Sequence, residues 1–308
     1  RLESGVKFIA VAIIFFGQNK IIFSALNGIR AIRCLSVLQA FRYFLIIGTV
    51  AWIWFFEFNP DFLMAVFAVA EIVLWLLSLS CFLFLRGFVR PQSTMVRKHL
   101  KFGLSACFSG VLVELNTRVD ILVLGFFMGD KTVGIYSFGA MIAEGFYGLL
   151  VVVRTNLNPL IAQYLATSNR KALALLIRRT QMILYPTLGI FLIFILAIFE
   201  PIVKVFFGQT DFLQAEIILF ILLVGVWFNC GMFPFEWSLS QGGYPGWQTA
   251  LAVTVVCSNL IFNYLLIPSW GMVGAAIATV GSMLVALLSC SYLTKKILTI
   301  DVVFGRYT

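Results

Sequence analysis

The 308 residues are 61% apolar and only 11% charged, with a formal net charge of +9 and a mean hydropathy of +1.02. A soluble domain carries roughly 45–50% apolar and about 25% charged residues. This composition therefore excludes a soluble fold and fits a polytopic all-α chain whose outer faces are solvated by lipid.

Runs of the ~20 apolar residues needed to cross a bilayer recur along the chain. They predict nine membrane helices at about 6–28, 37–57, 62–86, 98–128, 133–163, 180–207, 213–240, 246–268 and 271–294. The breaks carry turn residues: Asn59-Pro60-Asp61, Gly129-Asp130-Lys131, Gln241-Gly242-Gly243-Tyr244-Pro245-Gly246 and Pro268-Ser269-Trp270-Gly271. Pro159, Pro186, Pro201 and Pro234 fall in or near helices and predict kinks there.

With the helices alternating in direction, the loops sort into two sets. One set holds fifteen basic residues: Arg30, Arg33 and Arg42, then the 86–101 and 170–179 groups, then Lys295, Lys296 and Arg306. The other holds Arg1, Lys7, Lys131 and Lys204. The positive-inside rule places the first set and the C-terminus in the cytoplasm, so the basic charge reflects topology and anionic headgroups rather than nucleic acid. The amphipathic stretch from Asn169 to Arg179 suits a short helix on the cytoplasmic surface.

The six cysteines are scattered with no CxxC spacing, and His99 is the sole histidine. Neither a disulfide framework nor a metal site is expected from this pattern. No phosphate-binding glycine loop, paired histidines or nucleophile motif appears, and the loops opposite the basic set are too short for a catalytic one. An enzyme is not expected.

Charges inside apolar helices are the candidate functional residues, because each costs about 2.5–3.5 kcal/mol to place at a bilayer centre on insertion scales. The helix at 98–128 carries Glu114, Arg118 and Asp120; the next carries Glu144 and Arg154. Glu114 and Arg118 are four apart, share a helical face and are expected to pair. Counted from Lys101, Glu114 lies ~20 Å deep, near mid-membrane. Arg118 and Arg154 are the candidate anion-binding groups, since a guanidinium meets a phosphate through two parallel hydrogen bonds. Glu114, Asp120 and Glu144 are candidates for coupling to a proton or sodium gradient. The alternative is an internal pair of Glu114 with Arg118, with Asp120 and Arg154 snorkelling to the interfaces. Glu71 and Glu236 are open between cavity and helix packing, and Lys20 between the cavity and further helices expected outside this sequence.

Two stretches are internally similar. The helix end Leu26-Asn27-Gly28 and the hairpin after it resemble Ser240-Gln241-Gly242 and the hairpin after that. A parallel repeat of this size is a common transporter plan. In addition, Arg118-Val119-Asp120-Ile121-Leu122-Val123-Leu124-Gly125-Phe126-Phe127-Met128-Gly129, with Val133-Gly134-Ile135-Tyr136-Ser137 after it, resembles the start of the second lobe of polysaccharide-biosynthesis flippases. Asn263-Tyr264-Leu265-Leu266-Ile267-Pro268 with Gly271-Met272-Val273-Gly274-Ala275-Ala276 is similar to the last hairpin of the same group. These are the Wzx-type O-antigen flippases of the multidrug/oligosaccharidyl-lipid/polysaccharide exporter superfamily.

The resemblance implies a MATE-like fold of two six-helix lobes that open alternately to either side of the bacterial cytoplasmic membrane. It implies an undecaprenyl-diphosphate-linked oligosaccharide as substrate, no organic cofactor, and polymerase and chain-length proteins as pathway partners. Residues 1–97 would be half of the first lobe and 98–308 the complete second lobe, so three helices are expected ahead of Arg1. Rival readings within the superfamily are an organic-cation antiporter and a lipid II flippase.

Overall fold

The computed structural model describes residues 2–56, 63–87, 93–207 and 210–307. Nearly all of these are helical: α1 (Leu2–Gly28), α2 (Ile32–Phe55), α3 (Leu63–Arg86), α4 (Ser93–Asn116), α5 (Val119–Phe127), α6 (Asp130–Ala166), α7 (Arg170–Phe207), α8 (Ala215–Asn229), α9 (Ser238–Gln241) and α10 (Pro245–Leu298). Among the described residues, seven helices are long and apolar enough to cross a membrane. Large apolar side chains such as Phe84, Phe126, Val205 and Phe206 are exposed, as expected where lipid is the outer solvent. The chain divides into two compact units, Arg1–Gln92 and Ser93–Thr308.

In the first unit α1 and α2 pack against α3 around Phe23, Leu26, Leu35, Leu38 and Leu74. α1 ends at Gly28 as the sequence anticipates, and Ala31 N–H donates to the Leu26 carbonyl at 2.9 Å to close the turn. The expected break at Asn59-Pro60-Asp61 lies outside the described residues.

Within this apolar packing sits a polar cluster. Arg42 Nη2 donates to Glu71 Oε2 at 2.8 Å, Asn19 Nδ2 donates to the same oxygen at 2.9 Å, and Ser78 Oγ donates to Asn19 Oδ1 at 3.0 Å. Arg42, assigned above to a basic loop, is thus a residue of α2's interior. Its guanidinium is held by Glu71 and lies over the rings of Phe16 and Phe23 at 4.9 and 5.8 Å. Glu71 is accordingly a packing residue. Cys34 and Cys81, for which no pairing was expected, bring their sulfurs together across α2 and α3. Their Cα separation of 7.6 Å is wider than the 4.4–6.8 Å usual for a disulfide.

The second unit departs from the expected helices at four places. The run at 98–128 is two helices, broken at Thr117-Arg118. The run at 213–240 is α8, a 3-10 turn at Phe233–Phe235 and the short α9. Here Pro234 removes an N–H, and a side chain at Gly231 would come within 2.8 Å of Tyr185 Oη. The basic 170–179 stretch is not a separate helix but the opening turns of the 38-residue α7.

The fourth departure is at the end of the chain, where the expected tail is a docked hairpin. Ile300–Asp301 pairs antiparallel with Arg306–Tyr307, and Ile300, Val302 and Val303 are buried. Asp301 Oδ1 accepts from the Val303 and Phe304 amides, and Asp301 Oδ2 accepts from Ser291 Oγ. From α7, Gln181 Nε2 donates to the Val303 carbonyl at 2.6 Å and Arg178 Nε to that of Gly305 at 3.2 Å. The hairpin therefore staples α7 to the end of α10.

The final two expected spans are the arms of α10, which bends at Gly271 (φ 54°, ψ −133°). A positive φ there favours glycine. At Gly274 a side chain would approach the Leu266 carbonyl oxygen to 2.4 Å, so the two arms meet backbone against backbone.

Two outcomes follow. Glu71→Ala leaves the partly buried Arg42 without its anion and should cost about 3 kcal/mol, while the paired Glu71→Leu, Arg42→Met change should cost far less. Thermal unfolding of the detergent-solubilised protein compares them. Gly274→Ala should lower the melting temperature by an amount equivalent to about 1–3 kcal/mol, because the clash is with backbone that cannot step aside.

Candidate transport cavity

The second unit encloses a cavity of about 380 Å³, within the ~300–1,000 Å³ of ordinary ligand pockets. Its walls come from the end of α4, from α6 and α8, from the turn around Phe233, and from both arms of α10. Both helix breaks face it: Asn116, Thr117 and Arg118 at the first, Met232, Phe233 and Glu236 at the second. Transporters place interrupted helices at their sites for a physical reason, since backbone freed from a helix is tolerated at membrane depth only where protein or water satisfies it.

The broken backbone is satisfied locally. At the first break Thr117 Oγ1 donates to the Glu114 carbonyl at 2.7 Å, and Asn259 Nδ2 donates to Asn116 Oδ1 at 3.0 Å and to the Asn116 carbonyl at 3.4 Å. Asn263 Nδ2 in turn donates to Asn259 Oδ1 at 2.7 Å. This amide ladder was missed in the sequence. Its signal was there: two buried asparagines four residues apart in an apolar helix are costly unless they serve something.

All five sequence-selected residues, Glu114, Arg118, Asp120, Glu144 and Arg154, line this one cavity, and Glu236 joins them. Their partners differ from expectation. Glu114 and Arg118 do not pair, because the break at Thr117-Arg118 destroys the four-residue helical offset that would have aligned them. Arg118 Nη1 instead reaches Glu144 Oε1 at 3.5 Å, with both side chains about half exposed. Arg154 does not snorkel. Its Nη1 lies 3.4 Å from Glu236 Oε2, both side chains are about one-fifth exposed, and its guanidinium lies 4.5 Å from the Phe233 ring centroid.

Asp120 is not interfacial either, being only 8% exposed. Its carboxylate accepts from the Tyr136 hydroxyl, from the Ile121 amide at 2.9 Å and from Thr279 Oγ1 at 3.5 Å. Both arginine pairs are longer than the 2.7–2.9 Å of a tight charge-assisted bond. The half-exposed Arg118 can exchange its carboxylate for another anion at modest cost, whereas Arg154 and Glu236 are largely buried together.

The cavity has two ends. Glu144 and Arg154 are ten residues apart on α6, a rise of ~15 Å. Arg118, Glu144 and Glu114 mark the exposed end. Arg154, Glu236, Tyr147 and Gln248 mark the enclosed end, where Gln241 Nε2 donates to Asn158 Oδ1 at 2.7 Å and ties the end of α9 to α6. Counted together, four carboxyl groups face two guanidiniums. Lys20, by contrast, lies on the exposed side of α1 over Phe16 at 4.8 Å, and His99 is exposed on α4.

These features define a polytopic helical membrane protein with a polar, charged cavity inside a bundle of interrupted helices. Two family models match it, polysaccharide biosynthesis protein over residues 6–165 and MatE over residues 105–288. The chain belongs to the polysaccharide biosynthesis protein family.

Among relatives, it is 29% identical over 203 residues to the capsular polysaccharide biosynthesis protein CapF of Staphylococcus aureus, an alignment that takes in 62% of this chain and 48% of that protein. The chain thus spans about half the length of the curated relative it matches. The Vibrio cholerae MATE transporter VcmN, solved as a point mutant, shares the fold with a TM-score of 0.75 at 14% identity, over 96% of this chain and 68% of that one. The lipid II flippase MurJ in an inward closed conformation matches with a TM-score of 0.66 at 17% identity, over 94% and 62%. The expected MATE-like fold is therefore the observed one.

Tyr136→Phe should remove the hydroxyl donor from buried Asp120 and cost about 1–3 kcal/mol. Asp120→Asn, which keeps an acceptor for that hydroxyl, should cost less. Melting temperatures of the two purified variants make the comparison.

Proposed function

We propose that this protein carries a lipid-linked oligosaccharide across the bacterial cytoplasmic membrane by alternating access, with no catalytic step. Membership of the polysaccharide biosynthesis family gives the reading its direction. The observation that carries it is the cavity, where two arginines sit in loose ion pairs on walls made of broken helices. Arg118 and Arg154 are the proposed diphosphate-binding residues. The ~15 Å between their levels on α6 means the diphosphate would rest first at Arg118, replacing Glu144, and would meet the more buried Arg154 only later in the transport cycle.

The sorting of basic residues supports a cytoplasmic C-terminus, and moving Arg42 into α2 leaves that bias intact. Polymerase and chain-length proteins of the same pathway are its proposed partners, and membrane lipids its solvent. Among the cavity acids Glu114, Asp120 and Glu144, we assign coupling to a proton or sodium gradient to Asp120. It is the buried one, ringed by the Tyr136 and Thr279 hydroxyls.

A second reading, an organic-cation antiporter, is favoured by one observation. Glu114, Asp120, Glu144 and Glu236 outnumber the two arginines around the cavity. The two readings separate in a host strain lacking the protein. Complementation with Arg118→Glu and Arg154→Glu variants should fail to restore surface glycan, by tenfold or more, while immunoblots show normal membrane insertion. Normal glycan with altered susceptibility to organic cations would favour the antiporter.

A further inference from the structure

At the enclosed end of the cavity the charges balance one for one, Arg154 against Glu236. An anion entering there would have to expel a carboxylate that is itself largely buried. A neutral ligand rich in hydroxyl and amide groups would not, because a paired guanidinium and carboxylate still offer unused donors and acceptors.

Two polar groups at this level lack partners. Gln248, on the first arm of α10, is 2% exposed and lines the cavity, and its Oε1 meets no hydrogen-bond donor among the described residues. Burying such an amide oxygen unpaired costs about 1–3 kcal/mol. Tyr147 lines the same wall, its ring edge-on to Phe233 at 4.2 Å, and no described residue bonds its hydroxyl. Gln248 belongs at the depth of Arg154. It lies eleven residues before Asn259, which meets Asn116 beside Arg118, and seven after Gln241, which meets Asn158.

We infer that Gln248 and Tyr147, with the Arg154–Glu236 pair, form a sugar subsite that recognises the first residue of the lipid-linked unit, while the diphosphate rests at Arg118. This deepens the flippase reading and rests on it. The amide carries an acceptor and two donors in one plane, and turning the buried Oε1 toward the cavity would match it to an N-acetyl group or a pair of neighbouring hydroxyls. The tyrosine hydroxyl supplies one more bond. Glu144 and Arg154 lie ~15 Å apart along α6 with Tyr147 between them, so a diphosphate at Arg118 and a sugar between Tyr147 and Arg154 would occupy successive levels.

The test uses the purified protein in nanodiscs and two probes, undecaprenyl diphosphate and the same lipid carrying one N-acetylhexosamine. The wild type should bind the sugar-bearing probe at least tenfold more tightly. Gln248→Leu and Tyr147→Phe should each narrow that preference to about threefold or less. Without ligand, Gln248→Leu should melt at or above the wild-type temperature, since it removes an unsatisfied buried amide.

A preference unchanged in both variants overturns the subsite. So does a Gln248→Leu protein that melts lower yet keeps its preference, which would make the amide a packing element. Equal binding of both probes by the wild type overturns the subsite and leaves the flippase reading standing. Binding of neither overturns both.

Discussion

A polar group surrounded by hydrocarbon must find its partner inside the protein, because lipid offers none. This constraint organises both units. At two interruptions of the helical ladder, side chains from other elements arrive to complete it. Asn259 reaches the carbonyl at the end of α4, and Gln181 reaches across from α7 to the Gly231 carbonyl as well as to the C-terminal hairpin. The cavity is therefore not a gap left by poor packing. It is the place where two interruptions, each expensive alone, share a polar environment.

The charges obey the same rule with a difference between the units. Arg42 and Glu71 are tight, and one further donor, from Asn19, holds the carboxylate, which is how such a pair offsets its desolvation cost. Arg118 and Arg154 are held loosely, in reach of Glu144 and Glu236 but beyond the optimal distance. One arrangement is tight and fixes structure. The other leaves both guanidiniums in pairs longer than a tight charge-assisted bond.

Much of this was legible in the sequence. Hydrophobic run length gave the helices, glycine and proline gave most of the breaks, and the cost of intramembrane charge singled out five of the six charged residues that line the cavity. The pairings were not legible. Glu114 and Arg118 had the spacing of a helical pair, but the sequence carried no sign that Thr117-Arg118 would interrupt the helix, so the partner fell to Glu144. Arg42 stood near the boundary between two apolar runs, and only the packing of α2 on α3 revealed its partner. Gln248 and Tyr147 are uncharged, and a charge-based search passes over them. Periodicity reports faces and lengths. Which faces meet is a tertiary fact.

The corner at Gly271 bears on how such a bundle can move. Its two arms carry opposite stretches of cavity wall, Gln248 to Val256 on one and Thr279 to Cys290 on the other. No slack loop joins them, and Gly274 presses the second arm onto the Leu266 carbonyl of the first. The pair is a bent lever with a stiff elbow. A tilt imposed on one arm would be passed to the other, so both stretches of wall would shift together.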